Sequence, residues 1–395
     1  MLLHPAFCIV TRGNARHITA MLRYFLLMMV VAGAGLSQVR AQLGDVSDDV
    51  GLRKRAESGD AESQFQLGLR LIRGEGVPKP DPVAGADWVQ KAAKQDNERA
   101  MHVLAALYEA GEGVEKSSAK FVEWERKAAD KDLPEAQLGM AQAYDLGEGV
   151  EKDPSQGAEW AMKAAEQGLA PAQGYFGAKL VRGDGVPKSA AKAALYFLKA
   201  AKQEDGSAQR QLAYLYYTGA GVPVDYKRCE AWYRRAARNE QDPWANNDLA
   251  WFLSTCPDKR FHNGPEAIET AKRAVRFLQD SRGEQRHEML DTMAAALARN
   301  GQYTEAALWQ RRCISLLKED KALPDEEREK LAKEFDTRLK LYTEQKPYAD
   351  EPTKPEGQSA PLPNDTILED PDGTFQLPGP NQLKRGSRKK KDTEA

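Results

Sequence analysis

Beyond residue 41, the side chains with the most evident chemical potential are three histidines, three cysteines and a series of Gly-x-Gly turns. A histidine becomes a proton shuttle or metal ligand when a carboxylate, a thiol or a second imidazole stands at ligand spacing. His102, His262 and His287 have no such neighbour in the sequence, and no HExxH, GxSxG or CxxC motif occurs. They read as packing or surface residues. Cys229, Cys256 and Cys313 are odd in number and unrelated in position, so they are not a disulfide framework. They read as small buried apolar groups. A phosphate-binding Gly-x-Gly needs a strand before it and a helix after it, and has no reason to occur five times. The acids between the glycines (Glu75, Glu112, Glu148, Asp184) bring one carboxylate per turn, where calcium needs about six oxygens. No catalytic residue, metal or cofactor is expected, and the chain is not read as an enzyme.

The frame around those glycines is more informative. Gly74-Glu75-Gly76-Val77, Gly111-Glu112-Gly113-Val114, Gly147-Glu148-Gly149-Val150, Gly183-Asp184-Gly185-Val186 and Gly219-Ala220-Gly221-Val222 follow at steps of 37, 36, 36 and 36 residues. Trp88, Trp124, Trp160, Tyr196 and Trp232 keep a spacing of 36. Three residues after each comes Lys-Ala-Ala, starting at Lys91, Lys127, Lys163 and Lys199, with Arg235-Ala236-Ala237 last. A period in this range signals stacked repeats. Eleven residues before each first glycine stand Ser63, Ala100, Ala136, Ala172 and Ala208. Four further on come Leu67, Leu104, Met140, Phe176 and Leu212, then a small residue, then Leu71, Tyr108, Tyr144, Leu180 and Tyr216. These spacings place all of them on one helical face. The small slot admits a neighbouring backbone, and the glycine pair ends the helix. A second helix carries the Trp and Lys-Ala-Ala.

This order, Ala-x-x-x-Leu-Gly-x-x-Tyr-x-x-Gly-x-Gly-Val followed by Trp-x-x-Lys-Ala-Ala, resembles the Sel-1-like repeat (SLR) family, a relative of the tetratricopeptide (TPR) repeats. The resemblance runs from Ala61 to Glu240. Residues 241–318 resemble two tetratricopeptide units, one opening at Asn246 to Trp251, the next at Leu290 to Ala296 with Gly301, Tyr303 and Ala306. The resemblance implies an all-α, right-handed superhelical solenoid of helix–turn–helix repeats whose concave side binds other proteins. The paired cysteines of the family's cysteine-rich branch are missing, so that branch's ligands are not expected.

The expected organisation follows. Residues 1–41 form a secretory signal segment: a basic Met21-Leu22-Arg23, thirteen apolar residues from Tyr24 to Leu36, then Val39-Arg40-Ala41 as a cleavage site, with the true start at Met21 and an uncleaved membrane anchor as the minor alternative; either places the repeats in the periplasm or outside the cell. Residues 42–60 cap the stack, five repeats fill 61–240, two tetratricopeptide-like units fill 241–318, and a capping helix fills 319–344. Residues 345–395, rich in Pro and charge, read as a disordered tail ending in a basic run from Lys384 to Lys391.

First-helix residues that turn away from the core would line the concave groove. The register assigns Phe65, Leu69 and Ile72, then His102 and Glu109, then Leu138, Gln142 and Asp145. It continues with Arg210, Tyr214 and Tyr217, and with Asn247 and Trp251. The last five combine rigid aromatics, a guanidinium and an amide, the composition of interaction hot spots, and are the expected partner-binding residues. The competing reading is that the three aromatics fill gaps between repeats. The expected protein is an exported monomeric scaffold for a protein or peptide partner. The alternative is an envelope-attached structural protein held by its basic tail, which would touch anionic membrane or envelope polymer. Net charge is −2, and no aromatic residue interleaves the basic run, so no nucleic acid is expected.

Overall fold

A helix leaves its first backbone N–H groups without partners, and this sequence supplies an acceptor at nearly every start. Asp81, Ser117, Asp153, Ser189 and Asp225, spaced 36 apart, each accept a hydrogen bond from the first turn of the helix that follows. Asp60, Asn97, Asp205 and Asp242 do the same for the alternate helices. Between Asp60 and Asp242, two starts lack a side-chain cap, at Leu133 and Leu169. There a proline occupies the first turn, where the missing N–H costs nothing.

The computed structural model describes residues 49–351 apart from 77, 281–285 and 322, and the described residues are helical with no strand. They fall into two compact units, one through Lys188 and one from Ser189. The first contains α1 (Asp49–Glu57), α2 (Ala61–Arg73), α3 (Pro82–Ala93), α4 (Glu98–Ala110), α5 (Ser118–Ala129), α6 (Pro134–Leu146), α7 (Pro154–Glu166) and α8 (Ala170–Arg182). The second contains α9 (Ala190–Lys202), α10 (Gly206–Thr218), α11 (Tyr226–Ala236), α12 (Pro243–Thr255), α13 (Gly264–Asp280), α14 (Arg286–Arg299), α15 (Tyr303–Glu319) and α16 (Asp325–Thr343).

Within each unit, sequential helices pack as antiparallel pairs. Gly68 of α2 and Gly85 of α3 let two backbones meet: a Cβ on either would lie 2.8 Å from the other's carbonyl oxygen. In the Gly-x-Gly turns the two glycines have different tasks. Gly147 ends α6 in the left-handed region at φ 72°. Gly149, at φ 71°, sits against the preceding repeat, where a Cβ would stand 2.2 Å from the Ser118 carbonyl oxygen at the start of α5. The sequence pattern had assigned only the helix-ending task. On the second helix, Lys91, Lys127 and Lys163 each lie over the Trp three residues earlier, at 3.9 to 4.1 Å. Lys199 over Tyr196 and Arg235 over Trp232 repeat the contact in the second unit.

Successive repeats are also joined by a glutamine. Gln64, Gln137, Gln173 and Gln209 each donate through Nε2 to a carbonyl eight residues earlier, at the end of the preceding helix. Repeat two has Met101 at this register. The contact uses buried carbonyls that a helix end leaves open.

At the start of the stack, Leu52 and Ala56 of α1 pack on Leu67 and Leu71 of α2. At its end, Leu290, Cys313, Ile314, Leu317, Leu331 and Phe335 join α14, α15 and α16 in one cluster. Cys229, Cys256 and Cys313 are free and buried, as the sequence suggested. The proposed signal segment, 1–41, and the tail from 352 lie outside the described residues. Residues 345–351 are described, and they correct the expectation of disorder from 345 onward. Gln345 turns the chain at φ 58°, Lys346 N–H bonds back to the Leu341 carbonyl, and the segment then runs across the second unit. The composition argument failed there because Tyr348 and Asp350 find specific partners.

Candidate interaction face

The helices α10, α12, α14 and α16 of the second unit present the side chains that hold this segment. Tyr217 and Trp251 stand on α10 and α12. Tyr217 OH donates to Asp350 Oδ2 at 2.9 Å, and Trp251 Nε1 reaches the same oxygen at 3.5 Å. Tyr348 OH donates to Asp350 Oδ1 at 3.2 Å. The Tyr348 ring lies 6.0 Å from the Trp251 ring at 48°. The Arg338 guanidinium of α16 lies over both, 5.5 Å from Trp251 and 5.1 Å from Tyr348. Two bonds fix the backbone: Arg299 Nη2 donates to the Tyr348 carbonyl at 2.7 Å, and Asp350 N–H donates to the Thr255 carbonyl at 2.8 Å. Tyr348 and Asp350 are half-buried while Ala349 between them is exposed. Alternate side chains point inward, as in an extended strand.

A buried ionic network shapes this face. Asp291 of α14 accepts from Gln310 Nε2 at 2.8 Å and from Arg338 Nε at 2.9 Å. Burial pushes the Asp291 carboxyl up, with Arg338 pulling the other way. Burial works against the charge on Arg338 too, but Asp291 and its neighbours outweigh it and hold the guanidinium firmly protonated. Burial likewise pushes the Tyr217 phenol well up, and the Asp350 carboxylate adds to the rise. Tyr217 therefore remains a neutral donor at any physiological pH.

The five residues expected to bind a partner are all in this unit, but not in equivalent roles. Tyr217 and Trp251 are brought together around Asp350. Tyr217 also belongs to an aromatic cluster, with Tyr226 at 5.8 Å and Phe252 at 6.1 Å, so its ring is core while its hydroxyl reaches the face. Tyr214 is buried, at 8% exposure. Arg210 is no groove cation; it is buried in an ion pair with Asp248, Nε to Oδ2 at 2.6 Å. Asn247 is fully buried, and its amide nitrogen and oxygen have no hydrogen-bond partner among the described residues. Sequence reasoning missed Arg299, Arg338, Tyr348 and Asp350. The available signal was an aromatic residue two before an acid, directly after a capping helix, in a segment otherwise poor in large apolar groups.

The first unit has two polar contacts of its own. Glu125 of α5, 2% exposed, fills the space opened by Gly139 of α6, and its Oε2 lies 2.8 Å from His102 Nδ1. Burial opposes a charge on His102, yet Glu125, helped by Glu135 and Glu109, more than offsets this, and the imidazole pKa is raised. This carboxylate comes 23 residues after the histidine, too far to be read as a pair from sequence. Lys179 of α8 is fully buried and donates to both oxygens of Asp145 at 2.7 Å; Tyr175 OH donates to Asp145 as well. Among the described residues, no group of three or more His, Cys, Asp or Glu is placed to hold a metal ion. No helix among them is long and apolar enough to cross a membrane.

Helix pairs locked by recurring caps, glycines and small slots define an α-helical repeat protein. The family comparison makes the class specific: five consecutive segments, 61–97, 98–133, 134–169, 180–205 and 206–240, match the Sel1 repeat, and this part of the chain is a Sel1-repeat array. Among solved structures, the chain is similar to c5321, a protective antigen present in uropathogenic Escherichia coli strains displaying an SLR fold. The two share 25% identity with a TM-score of 0.59, over 83% of this chain and 72% of that one. It is also similar to a Sel1 repeat protein from Oxalobacter formigenes, at 27% identity and a TM-score of 0.52, over 59% of this chain and all of that one. The first match extends well past the five repeats, so the helix pairs after residue 240 share the architecture. No curated protein sequence matches the chain.

Proposed function

We propose that this chain is an exported, non-catalytic repeat scaffold that holds an extended segment of a protein partner on the face built by α10, α12, α14 and α16. Sel1 repeats are in general protein-interaction modules, which supports the scaffold part of this reading. One observation carries the rest: the chain's own residues 346–351 lie extended on that face, bound through two alternate side chains and two backbone groups. A surface that holds one peptide through such contacts has the features of peptide recognition. The apolar run from Tyr24 to Leu36 supports export.

Fractionation of cells expressing the full chain tests export. The expected mature protein begins at Gln42 and is found outside the cytoplasm; a cytoplasmic protein retaining residues 1–41 refutes it. Site-specific photocrosslinking from Lys346, next to the face, tests binding. A single partner crosslinked there, and not from Lys131 in the first unit, supports the assignment; equal crosslinking from both sites refutes it. The basic run from Lys384 supports a second reading, electrostatic attachment to the envelope. Removing residues 384–395 should then release the protein in a salt-sensitive way, and unchanged attachment excludes this reading.

A further inference from the structure

Resting on that reading, we infer that the face recognises an extended aromatic-x-acid sequence, Tyr or Phe followed two residues later by Asp or Glu, and that Tyr348–Asp350 is an internal stand-in which a partner must displace. The geometry defines each requirement. An aromatic ring is needed beside the Trp251 ring, where the Arg338 guanidinium lies over both. A carboxylate is needed as acceptor for Tyr217 OH and Trp251 Nε1. The residue between them points to solvent, as exposed Ala349 does, so its identity is free. Arg299 and the Thr255 carbonyl take the backbone of the segment, which fixes its direction without reading its sequence. A cationic or all-apolar peptide would leave the Tyr217 hydroxyl facing no acceptor from the ligand, and a cationic one would also set like charge beside Arg299 and Arg338.

The stand-in is displaceable by construction. Only two of its side chains are half-buried, and Gln345, Lys346, Pro347, Ala349 and Glu351 are exposed. Its advantage is tethering: it follows α16 after a turn of a few residues, and a short linker gives an effective concentration of about millimolar. A partner segment with the same two side chains and further contacts of its own would take its place.

The test uses the chain from residue 42 to 395 and a fluorescein-labelled peptide of residues 346–351, read by anisotropy. In the variant Tyr348→Ala/Asp350→Ala the pocket residues are untouched and only the stand-in is disabled. It should bind the peptide about tenfold or more tightly than the unmodified chain, because the tethered competitor is gone. Peptides with Asp→Asn or Tyr→Ala at the matching positions should lose about tenfold or more, the usual scale for a charge-assisted bond or an aromatic contact. Tyr217→Phe, which removes one hydroxyl from an otherwise unchanged ring, should weaken the parent peptide and not the Asp→Asn peptide.

Absence of peptide binding to the double variant, with its thermal melt unchanged, overturns the inference. Equal affinity for the parent and the substituted peptides does the same. If the photocrosslinked partner is retained at Lys346 while excess peptide fails to release it, the ligand chemistry is wrong and the scaffold reading stands. Absence of any crosslink from Lys346 without added peptide removes the scaffold reading. If the unmodified chain instead forms a concentration-dependent dimer that Asp350→Ala dissolves, the occupant is a second copy of the chain and the inference fails.

Discussion

Replacing Gly149 by alanine and, separately, Gly147 by alanine divides two effects that the Gly-x-Gly turn combines. The two residues have nearly the same backbone, at φ 71° and 72°, and sit two apart in one turn. For alanine the left-handed conformation costs about 1–2 kcal/mol at either position. The neighbours differ. At Gly147 the nearest atom to an added Cβ is the Lys152 Cβ at 3.2 Å, which a shift of a few tenths of an ångström accommodates. At Gly149 it is the Ser118 carbonyl oxygen at 2.2 Å, with the Val122 Cγ2 at 2.8 Å. That oxygen belongs to the backbone of α5 in the preceding repeat, so the helix itself must move, adding about 1–3 kcal/mol as overpacking does. A kilocalorie displaces the melting temperature of a chain of this size by about 1–2 °C. Gly149→Ala should therefore melt about 1–6 °C below Gly147→Ala, followed by circular dichroism at 222 nm. Neighbouring repeats unfold in a coupled way, so the amides of α5 should lose exchange protection in Gly149→Ala and keep it in Gly147→Ala. Equal melting of the two variants would refute the claim that the second glycine is there for the contact between repeats.

Three further outcomes are expected. Since the His102 pKa is raised in the folded chain, its pairing with Glu125 stabilises fully below about pH 6.5, the ordinary histidine value, and that contribution fades as pH rises through the folded value. His102→Gln should flatten the difference between urea melts at pH 5.5 and 8.5, and an unchanged difference would exclude the pair as its source. Lys179→Met should destabilise by about 3–5 kcal/mol, because the Asp145 carboxylate loses its buried cation; adding Asp145→Asn should restore most of it, and a double variant no better than the single would count against the pairing. Arg338→Met should free the Tyr348 segment and leave Asp291 without its cation, read as faster proteolytic cleavage after Tyr348 with the helical signal retained; unchanged cleavage would show that the guanidinium does not hold the segment.

The recurring frame was legible because it is local. A period of 36 residues, a face of apolar and small residues at helical spacing, and glycine where the backbone turns left-handed are all properties of neighbouring positions. They determined the helix pairs, the ends of the first helices and the Sel1 character of residues 61–240, and the structure reproduces them at Gly74, Gly111, Gly147, Gly183 and Gly219. Burial of the three cysteines was equally legible, since nothing in the sequence offered them other employment.

The pairings that give the second unit its face were not legible, because they join residues far apart in the chain. Tyr217 and Asp350 are separated by 133 positions and Trp251 and Asp350 by 99; no periodicity links them. The register correctly placed Arg210 on the first helix, yet it could not show that Asp248, 38 residues on, would neutralise it inside the core. A helical face with a charged residue reads as solvent-facing until the packing of the next helix supplies a counter-ion. Composition misread the segment after α16 for the same reason. It averages over residues, whereas two side chains, Tyr348 and Asp350, secure that segment through partners that only the tertiary structure brings within reach.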